Sequence, residues 1–308
     1  MSNKISEAYK ILSKELYAQN IRFRLVPIER IKDLKKTFSH TLEHEIDCPE
    51  FVEFIKYINW FGALNSFPEA KSILVASVYN PAGKVVFQKQ DKDIEVVIPQ
   101  GFIKFYPKQR VLQTIITDIL HSLGYRNERI LLHIKLLAVQ SGLAEYGKNN
   151  ITYVEGFGSS HFLGSFITDM PANDDFWREP KIMDACENCD LCRLNCPTGA
   201  ISEDRFLIHG EKCITLYNEN PGEFPEWIES KWHHAVVGCM KCQSVCPCNA
   251  ADYVDVPILE TFTVSETDIL LNETEFEQLP QALKDKFAQF GFPEIHSLLL
   301  RNIKVICM

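Results

Sequence analysis

The sequence predicts an α/β (α+β) protein that continues into a cysteine-rich module, and three observations support this prediction. SILVASVY (72–79) is a continuous run of apolar and branched residues, which is typical of a buried strand. Residues 108–123 repeat apolar side chains at helical spacing and meet Gly124, a common helix stop. Eight of the eleven cysteines fall between residues 186 and 246. We therefore expect a packed α/β region followed by a small metal-holding region.

The composition is that of a globular chain with a large core, since 46% of the 308 residues are hydrophobic and 24% are charged. The net charge of −9 argues against non-specific nucleic-acid binding, which depends on Lys and Arg neutralising phosphates, but it leaves room for a local basic patch. The N-terminal MSNKISEAYKILSKEL lacks the apolar run of a signal peptide. No run of about 18 apolar residues is present. We therefore predict a cytoplasmic protein without membrane segments.

Periodicity and turn residues predict the remaining elements. Helices are predicted over 6–19 and 131–141, and strands over 23–28, 151–154 and 162–168. Ser6 is a candidate N-cap of the first helix, and the second stops near Gly142. A closing amphipathic helix is predicted after Pro293 from the spacing of Ile295, Leu298, Leu299 and Ile303.

Changes in composition divide the chain into three predicted domains. PANDDFWREPK (171–181) is a polar linker, and the cysteine-rich segment follows it. We expect an α/β domain over 1–172, a cluster-binding domain over 173–250 and an acidic helical segment over 251–308. The last segment contains ten acidic and four basic side chains.

The cysteines form two runs, CENCDLCRLNCP (186–197) and CMKCQSVCP (239–247). In bacterial double-cluster ferredoxins, C-x2-C-x2-C wraps one [4Fe–4S] cube, and the following Cys-Pro cysteine ligates the other cube. The second run has Val236 where its first cysteine would stand, and Cys213 can supply that thiolate. Cluster one is therefore assigned to Cys186, Cys189, Cys192 and Cys246. Cluster two is assigned to Cys196, Cys213, Cys239 and Cys242.

Zinc is the alternative, because paired CxxC motifs often bind structural zinc. Zinc sites need neither a third cysteine at two-residue spacing nor two Cys-Pro crossings, so the spacing favours iron–sulfur. Cys248 is predicted to be a bystander, and Cys48 and Cys307 to be small buried hydrophobes.

Several other motifs have plainer interpretations. GLAEYGKN (142–149) matches a phosphate loop in part, but Asn149 replaces the magnesium-binding Ser or Thr and a helix precedes the motif. No dinucleotide-binding glycine pattern lies between a strand and a helix. His233 and His234 are expected to be surface or hydrogen-bonded residues rather than ligands. Asp169 is expected to be a solvated charge or a cap.

The chain resembles the epoxyqueuosine reductases over LLAVQSGLAEYGKNNITYVEGFGSSHFLGSFITDMP (136–171). That family has a helix, a glycine turn, Gly-Lys, Gly-Ser and Phe-Leu-Gly in this order, and then a double-cluster module with a lone cysteine and a split second run. PEAKSILVASVYNP (68–81) and RNIKVI near the end also fit. The resemblance covers about residues 20–250.

The resemblance implies a fold and a cofactor. Epoxyqueuosine reductases and the related reductive dehalogenases bind base-off cobalamin between a nitroreductase-like α/β domain and the bacterial-ferredoxin-like module. In them the near cluster delivers electrons to cobalt, which drives a reductive elimination. Carried over by motif, the cobalamin-facing candidates are Thr152, Leu163, Thr215, Cys239 and Met240.

The chain departs from the family at the proton donor. The family uses an aspartate in Asp-Ser/Thr-x-Pro-x-x-Glu, and here the stretch reads ERILLHIK (128–135), so Glu128 stands at the aspartate while the proline and second acid are absent. Glu128 could serve as a general acid only if its carboxyl were desolvated, and a structural role is expected as strongly. Tyr146 is a second candidate donor.

The sequence thus predicts a reductase that uses two [4Fe–4S] clusters and cobalamin, with a reduced ferredoxin- or flavodoxin-type electron donor. The expected substrate is a small molecule or modified nucleoside. tRNA is less expected, since the tail is acidic and the helical repeats that long family members add for tRNA are absent. The alternative is an iron–sulfur electron carrier without cobalamin chemistry, which the lost aspartate favours and the retained 136–171 stretch opposes.

Overall fold

The computed structural model describes residues 2–44, 46, 48–58, 66–103, 105–249, 256–272, 276–288 and 296–307. These form two compact units, residues 1–79 with 108–189, and residues 80–107 with 190–308. The predicted division at 172 and 250 followed changes in composition rather than contacts, and it stays a prediction. Its second boundary, like Pro293 and Ile295 of the predicted closing helix, lies outside the described residues.

The elements follow one another in this order. Up to residue 129 they are α1 (Ser2–Ala18), β1 (Ile21–Pro27), α2 (Arg30–His44), α3 (Pro49–Ile58), β2 (Ser72–Tyr79), β3 (Gly83–Gln88), β4 (Asp93–Ile98), α4 (Phe105–Ser122) and β5 (Asn127–Arg129). They continue with α5 (Ile134–Gln140), β6 (Ala144–Tyr146), β7 (Thr152–Val154), β8 (His161–Thr168), α6 (Leu191–Leu194), α7 (Ile214–Asn218) and α8 (Lys241–Ser244). The last are β9 (Ile258–Phe262), α9 (Val264–Leu271), α10 (Gln281–Ala288) and α11 (His296–Cys307).

The first unit is built on a four-stranded antiparallel sheet in the order β1-β2-β8-β5. One face packs against α1 and α4, whose apolar stripes include Leu12, Leu16 and Leu112. Gly164 on β8 allows this packing, because a Cβ there would lie 2.8 Å from the Leu112 side chain. Helix α5 contacts β2 and β8. Helices therefore pack against the sheet, as the predicted α/β class requires.

The second unit has a three-stranded sheet in the order β4-β3-β9, with β9 parallel to β3. Its core joins these strands to α9, α10 and α11 and includes Phe87, Phe262, Phe287 and Leu299. The acidic segment after residue 255 thus contributes a strand and three helices to this core. The loops that hold the second cysteine run belong to the same unit.

Most elements predicted from periodicity are present with small shifts. The strand over 72–79 coincides with β2, and the helix over 108–123 is α4, after which Gly124 adopts a φ of 82°. Ser6 was wrong as an N-cap, because α1 begins at Ser2 and Ser6 lies inside it. None of the described helices is long and apolar enough to cross a bilayer.

Candidate functional site

The four thiols assigned to cluster two lie together in the second unit. Burial raises the pKa of Cys239 to about 12, and the nearby thiols of Cys213 and Cys196 add to the effect. The pKa of Cys242 is raised by burial and then by Cys239, Cys213, Cys192 and Cys196. Thiols influence one another's pKa in this way when they are neighbours. The separated cysteine at 213 therefore lies near the second run, and its role as a ligand of cluster two stays a prediction.

Hydrogen-bond donors face two of these sulfur atoms. The backbone N–H and the hydroxyl of Thr215 both donate to Cys213, and the backbone N–H of Lys241 donates to Cys239. Such donors stabilise a thiolate and tune a bound cluster. The resemblance implies that Thr215 faces cobalamin, whereas its hydroxyl donates to the sulfur of Cys213, a predicted ligand of cluster two. The donor set fits a [4Fe–4S] cube, since all eleven cysteines are free thiols and no disulfide competes for them.

His234 fixes the backbone directly after Cys239. The Met240 N–H donates to His234 Nε2 at 3.1 Å, so Nδ1 carries the proton and donates to the Trp232 carbonyl at 3.3 Å. Burial lowers the pKa of His234 to about 4, which keeps it a neutral acceptor. Met240 is buried, and Gln243 Nε2 lies 3.3 Å from its sulfur. His234 is therefore hydrogen-bonded, as predicted.

The prediction was wrong for two other side chains. His233 is buried, and both its ring nitrogens lack a hydrogen-bond partner among the residues described. Cys48 is partly exposed, with its thiol 3.3 Å from Glu50 Oε2, because it lies just before α3 rather than in a core. Cys307 is buried as expected, and Cys248 is exposed.

The first unit ends with two cluster-one cysteines, Cys186 and Cys189. Lys148 Nζ donates to the Cys189 carbonyl at 3.0 Å and to the Glu187 carbonyl at 3.5 Å. The Gly147–Asn149 turn, which precedes the cobalamin candidate Thr152, thus binds the backbone of the first cysteine loop through Lys148. Within the described part of the chain, no three or more His, Cys, Asp and Glu side chains group around a single-ion site.

Thr152 and Leu163, the cobalamin candidates of the first unit, lie beside unpaired polar atoms. His161 Nε2 lies 2.9 Å from the Thr152 carbonyl and 3.2 Å from its hydroxyl, so Nε2 carries the proton and Nδ1 is an acceptor. Nδ1 has no donor among the described residues, nor has the hydroxyl of Ser77, which stands opposite Leu163 in the β2–β8 pair. Buried polar atoms without partners call for an explanation, and a polar ligand fits here.

The two candidate proton donors differ in environment. Glu128 lies on the edge strand β5 and is exposed, so its carboxyl lacks the desolvation that the acid role required. Tyr146 ends β6 and is buried, and burial raises its pKa. The phenol therefore stays protonated at neutral pH. Asp169 accepts a hydrogen bond from the Arg126 N–H at 2.8 Å, in the turn before β5.

His161 makes stability depend on pH. Burial lowers its pKa to about 4 from 6.5, so the unfolded chain binds the proton more readily. The neutral imidazole therefore makes its full contribution to the free energy of unfolding above about pH 6.5, and this contribution is lost as the pH falls toward about 4. We expect the His161→Gln variant to lose less stability than the wild type between these limits, by up to about 3 kcal/mol. Denaturant unfolding against pH measures the slope, and exposed His44→Gln should keep the wild-type slope. Equal slopes for all three proteins would contradict this role.

The first comparison concerns the cysteine-rich part of the chain. Residues 185–249 match the family model described as a 4Fe-4S double cluster binding domain. This match covers every cysteine assigned to the two clusters, so the chain contains a double-cluster iron–sulfur module.

The predicted resemblance to epoxyqueuosine reductases is confirmed in sequence and in fold. The chain is 33% identical over 150 residues to the epoxyqueuosine reductase of Francisella cf. novicida, which covers 48% of this chain and 40% of the relative. It is 30% identical over 174 residues to that of Shewanella oneidensis, covering 55% of this chain and 42% of the relative. The matches thus span less than half of each curated relative.

Solved structures extend the likeness in fold to nearly the whole chain. A selenomethionine-labelled epoxyqueuosine reductase aligns with a TM-score of 0.65 at 21% identity, covering 97% of this chain and 81% of that one. An epoxyqueuosine reductase solved with an epoxyqueuosine-modified tRNA-Tyr stem loop aligns with a TM-score of 0.64 at 18% identity, with the same coverage. At this identity the likeness defines the fold alone.

Proposed function

We propose that the protein is a cobalamin- and iron–sulfur-dependent reductase similar to epoxyqueuosine reductase. The observation that carries the proposal is the gathering of Cys196, Cys213, Cys239 and Cys242 in a chain with this fold. Four neighbouring thiols suit a cluster that passes single electrons. The proposed location is the cytoplasm, where cysteines stay reduced and available as ligands.

The clusters would be held by the two assigned sets of four cysteines, and cobalamin by the surroundings of Thr152 and Leu163 in the first unit. When bound, the clusters supply single electrons and cobalamin supplies a low-valent cobalt that reduces an organic substrate. His161 orients the Thr152 hydroxyl and leaves Nδ1 to accept a hydrogen bond. Tyr146 holds a proton that its raised pKa keeps in place until a strong base forms.

The proposed partners are a ferredoxin- or flavodoxin-type electron donor and an organic substrate. One similar protein was solved with a modified tRNA stem loop, so a nucleoside carried by RNA is one substrate class to test. The net charge of −9 favours a small molecule or free nucleoside over a large polyanion.

An electron carrier without cobalamin is the second candidate, and the exposure of Glu128 favours it. An electron carrier needs no acid beside the cofactor, whereas a reductase must supply a proton. The unpaired Ser77 hydroxyl and His161 Nδ1 favour the reductase, because a carrier has no ligand to satisfy them.

Metal analysis and EPR on anaerobically purified protein, reconstituted with iron, sulfide and cobalamin, test the proposal. About eight irons with one retained cobalt in a base-off signal are expected. We expect Thr152→Val to weaken cobalamin retention about fivefold, as for one lost hydrogen bond, while iron stays unchanged. Thr168→Val, which removes a buried hydroxyl bonded to the Arg126 carbonyl, is the matched control. Eight irons without retained cobalt would establish the electron carrier instead.

A further inference from the structure

The two peptides that carry Cys213 and Cys239 are joined by asparagine side chains. Helix α7 begins directly after Cys213 and ends at Asn218, which is buried. Asn218 Nδ2 donates to the Gly238 carbonyl at 2.8 Å, one residue before Cys239. This bond ties the end of the Cys213 helix to the peptide that enters the second cysteine run.

A second amide reinforces this junction from the far end of the chain. Asn302, on α11, is 0% exposed. Its Nδ2 group donates one hydrogen to the Asn218 carbonyl and the other to the Val236 carbonyl, each at 2.9 Å. The amide nitrogen has only these two hydrogens. Both hydrogens of the Asn302 side-chain amide are therefore used in bonds that join the peptide after Cys213 to the peptide before Cys239.

Arg301 sets the orientation of the Asn302 amide. Its Nε and Nη2 donate to Asn302 Oδ1 at 3.1 and 2.9 Å, so the oxygen faces the guanidinium and the nitrogen faces the two carbonyls. Nη2 also donates to the Tyr217 carbonyl at 2.7 Å and Nη1 to the Asn220 carbonyl at 3.0 Å. The guanidinium covers the Phe224 ring at 4.1 Å. The last turn of α7 is thus held by α11 through charge-assisted bonds.

We propose that Asn302 is a positioning residue for cluster two, acting through the backbone of the peptides that carry Cys213 and Cys239. The spacing of these peptides decides where two of the four thiolates stand. Asn302 lies far along the chain from the last ligand, so the C-terminal helix completes the cluster site without contributing a ligand. This role rests on the cluster-two ligand set, and it depends on neither cobalamin nor substrate.

The test compares iron loss from reconstituted wild-type protein and the Asn302→Ala variant under an iron chelator. We expect the four irons of cluster two to leave the variant about 10- to 100-fold faster, with a shifted cluster-two EPR signal and reduction potential. The cluster-one signal should be unchanged. A wild-type rate and spectrum in the variant would overturn the proposal.

Leu299→Ala separates positioning from general destabilisation. Leu299 lies on the same helix, is 0% exposed and packs in the core of the second unit. Its truncation should lower stability at least as much yet leave the cluster-two spectrum and potential unchanged. The Asn218→Ala/Asn302→Ala double variant should lose iron no faster than the worse single variant, because both residues serve one junction. An equal spectral shift in Leu299→Ala, or additive losses in the double variant, would overturn the proposal. A wild-type chain that holds no cluster would instead refute the ligand assignment.

Discussion

Replacing Cys242 with serine is expected to halve the iron content, from about eight to about four atoms per chain. The thiols of Cys239, Cys213, Cys192 and Cys196 all raise the pKa of Cys242, and the cysteine spacing assigns Cys242 to cluster two. A hydroxyl binds iron far more weakly than a thiolate, and three thiolates hold a cube poorly. Iron and sulfide determination on anaerobically reconstituted protein measures the loss, and EPR should retain one cluster signal.

Cys248→Ser is the matched control, because it removes a thiol two residues after Cys246 that belongs to neither predicted set. Cys248 is exposed, so this variant should keep about eight irons. Full iron in Cys242→Ser would contradict the assignment of cluster two. Loss of four irons in Cys248→Ser would mean that Cys248, and not one of the eight assigned cysteines, is a ligand.

The proposed cluster ligands can be named from the sequence because their chemistry is local. Within each run the loop length alone decides which sulfur atoms can meet, so spacing carries the geometry. Cys213 is the informative case, since it stands apart from both runs and was placed by the vacancy at Val236. Its sulfur does lie near Cys239 and Cys196.

Strands and helices could be predicted where burial produced a clear pattern of apolar residues. Strand β2 is buried along most of its length, so its apolar run needs no alternation. Strand β9 was missed for the opposite reason. Strand β9 is short and mixed in polarity, and it becomes a strand only by pairing with β3, which lies far earlier in the chain. Such tertiary pairing overrides local preference.

The groups that hold the ligand peptides in place could not be predicted either. Asn218 and Asn302 donate to carbonyl groups far away in the sequence, and His234 accepts from the Met240 N–H within its own loop; no spacing rule encodes these contacts. The one sequence feature that pointed to this region was RNIKVI (301–306), which resembles the family but indicates no role for its residues. Glu128 shows the converse limit, because an ungapped match placed it at a catalytic position while the fold leaves it exposed on an edge strand.

Phe262→Ala is expected to destabilise the second unit by about 3–5 kcal/mol, the usual cost of removing a buried phenylalanine ring. Phe262 ends β9 and is 2% exposed. The centre of its ring lies 4.8 Å from the centre of the stacked Phe87 ring and 5.6 Å from that of the Phe287 ring. Lys286 Nζ lies 5.3 Å from the same centre. Truncation leaves a cavity where β3, β9 and α10 meet, so all three elements lose contacts at once. Denaturant unfolding under anaerobic conditions measures the change as a lower midpoint.

Ile258→Ala tests the same strand without the cavity. Ile258 begins β9 and is 57% exposed, so its truncation should change the free energy of unfolding by no more than about 0.5 kcal/mol. The contrast separates burial from strand pairing, because both residues pair with β3, Ile258 with Lys84 and Phe262 with Phe87, although the register shifts between Lys84 and Val85. If Phe262→Ala cost less than about 1 kcal/mol, below the range for a buried ring, β9 would not belong to the core. The acidic C-terminal segment would then be an appendage rather than part of the unit that carries the second cysteine run.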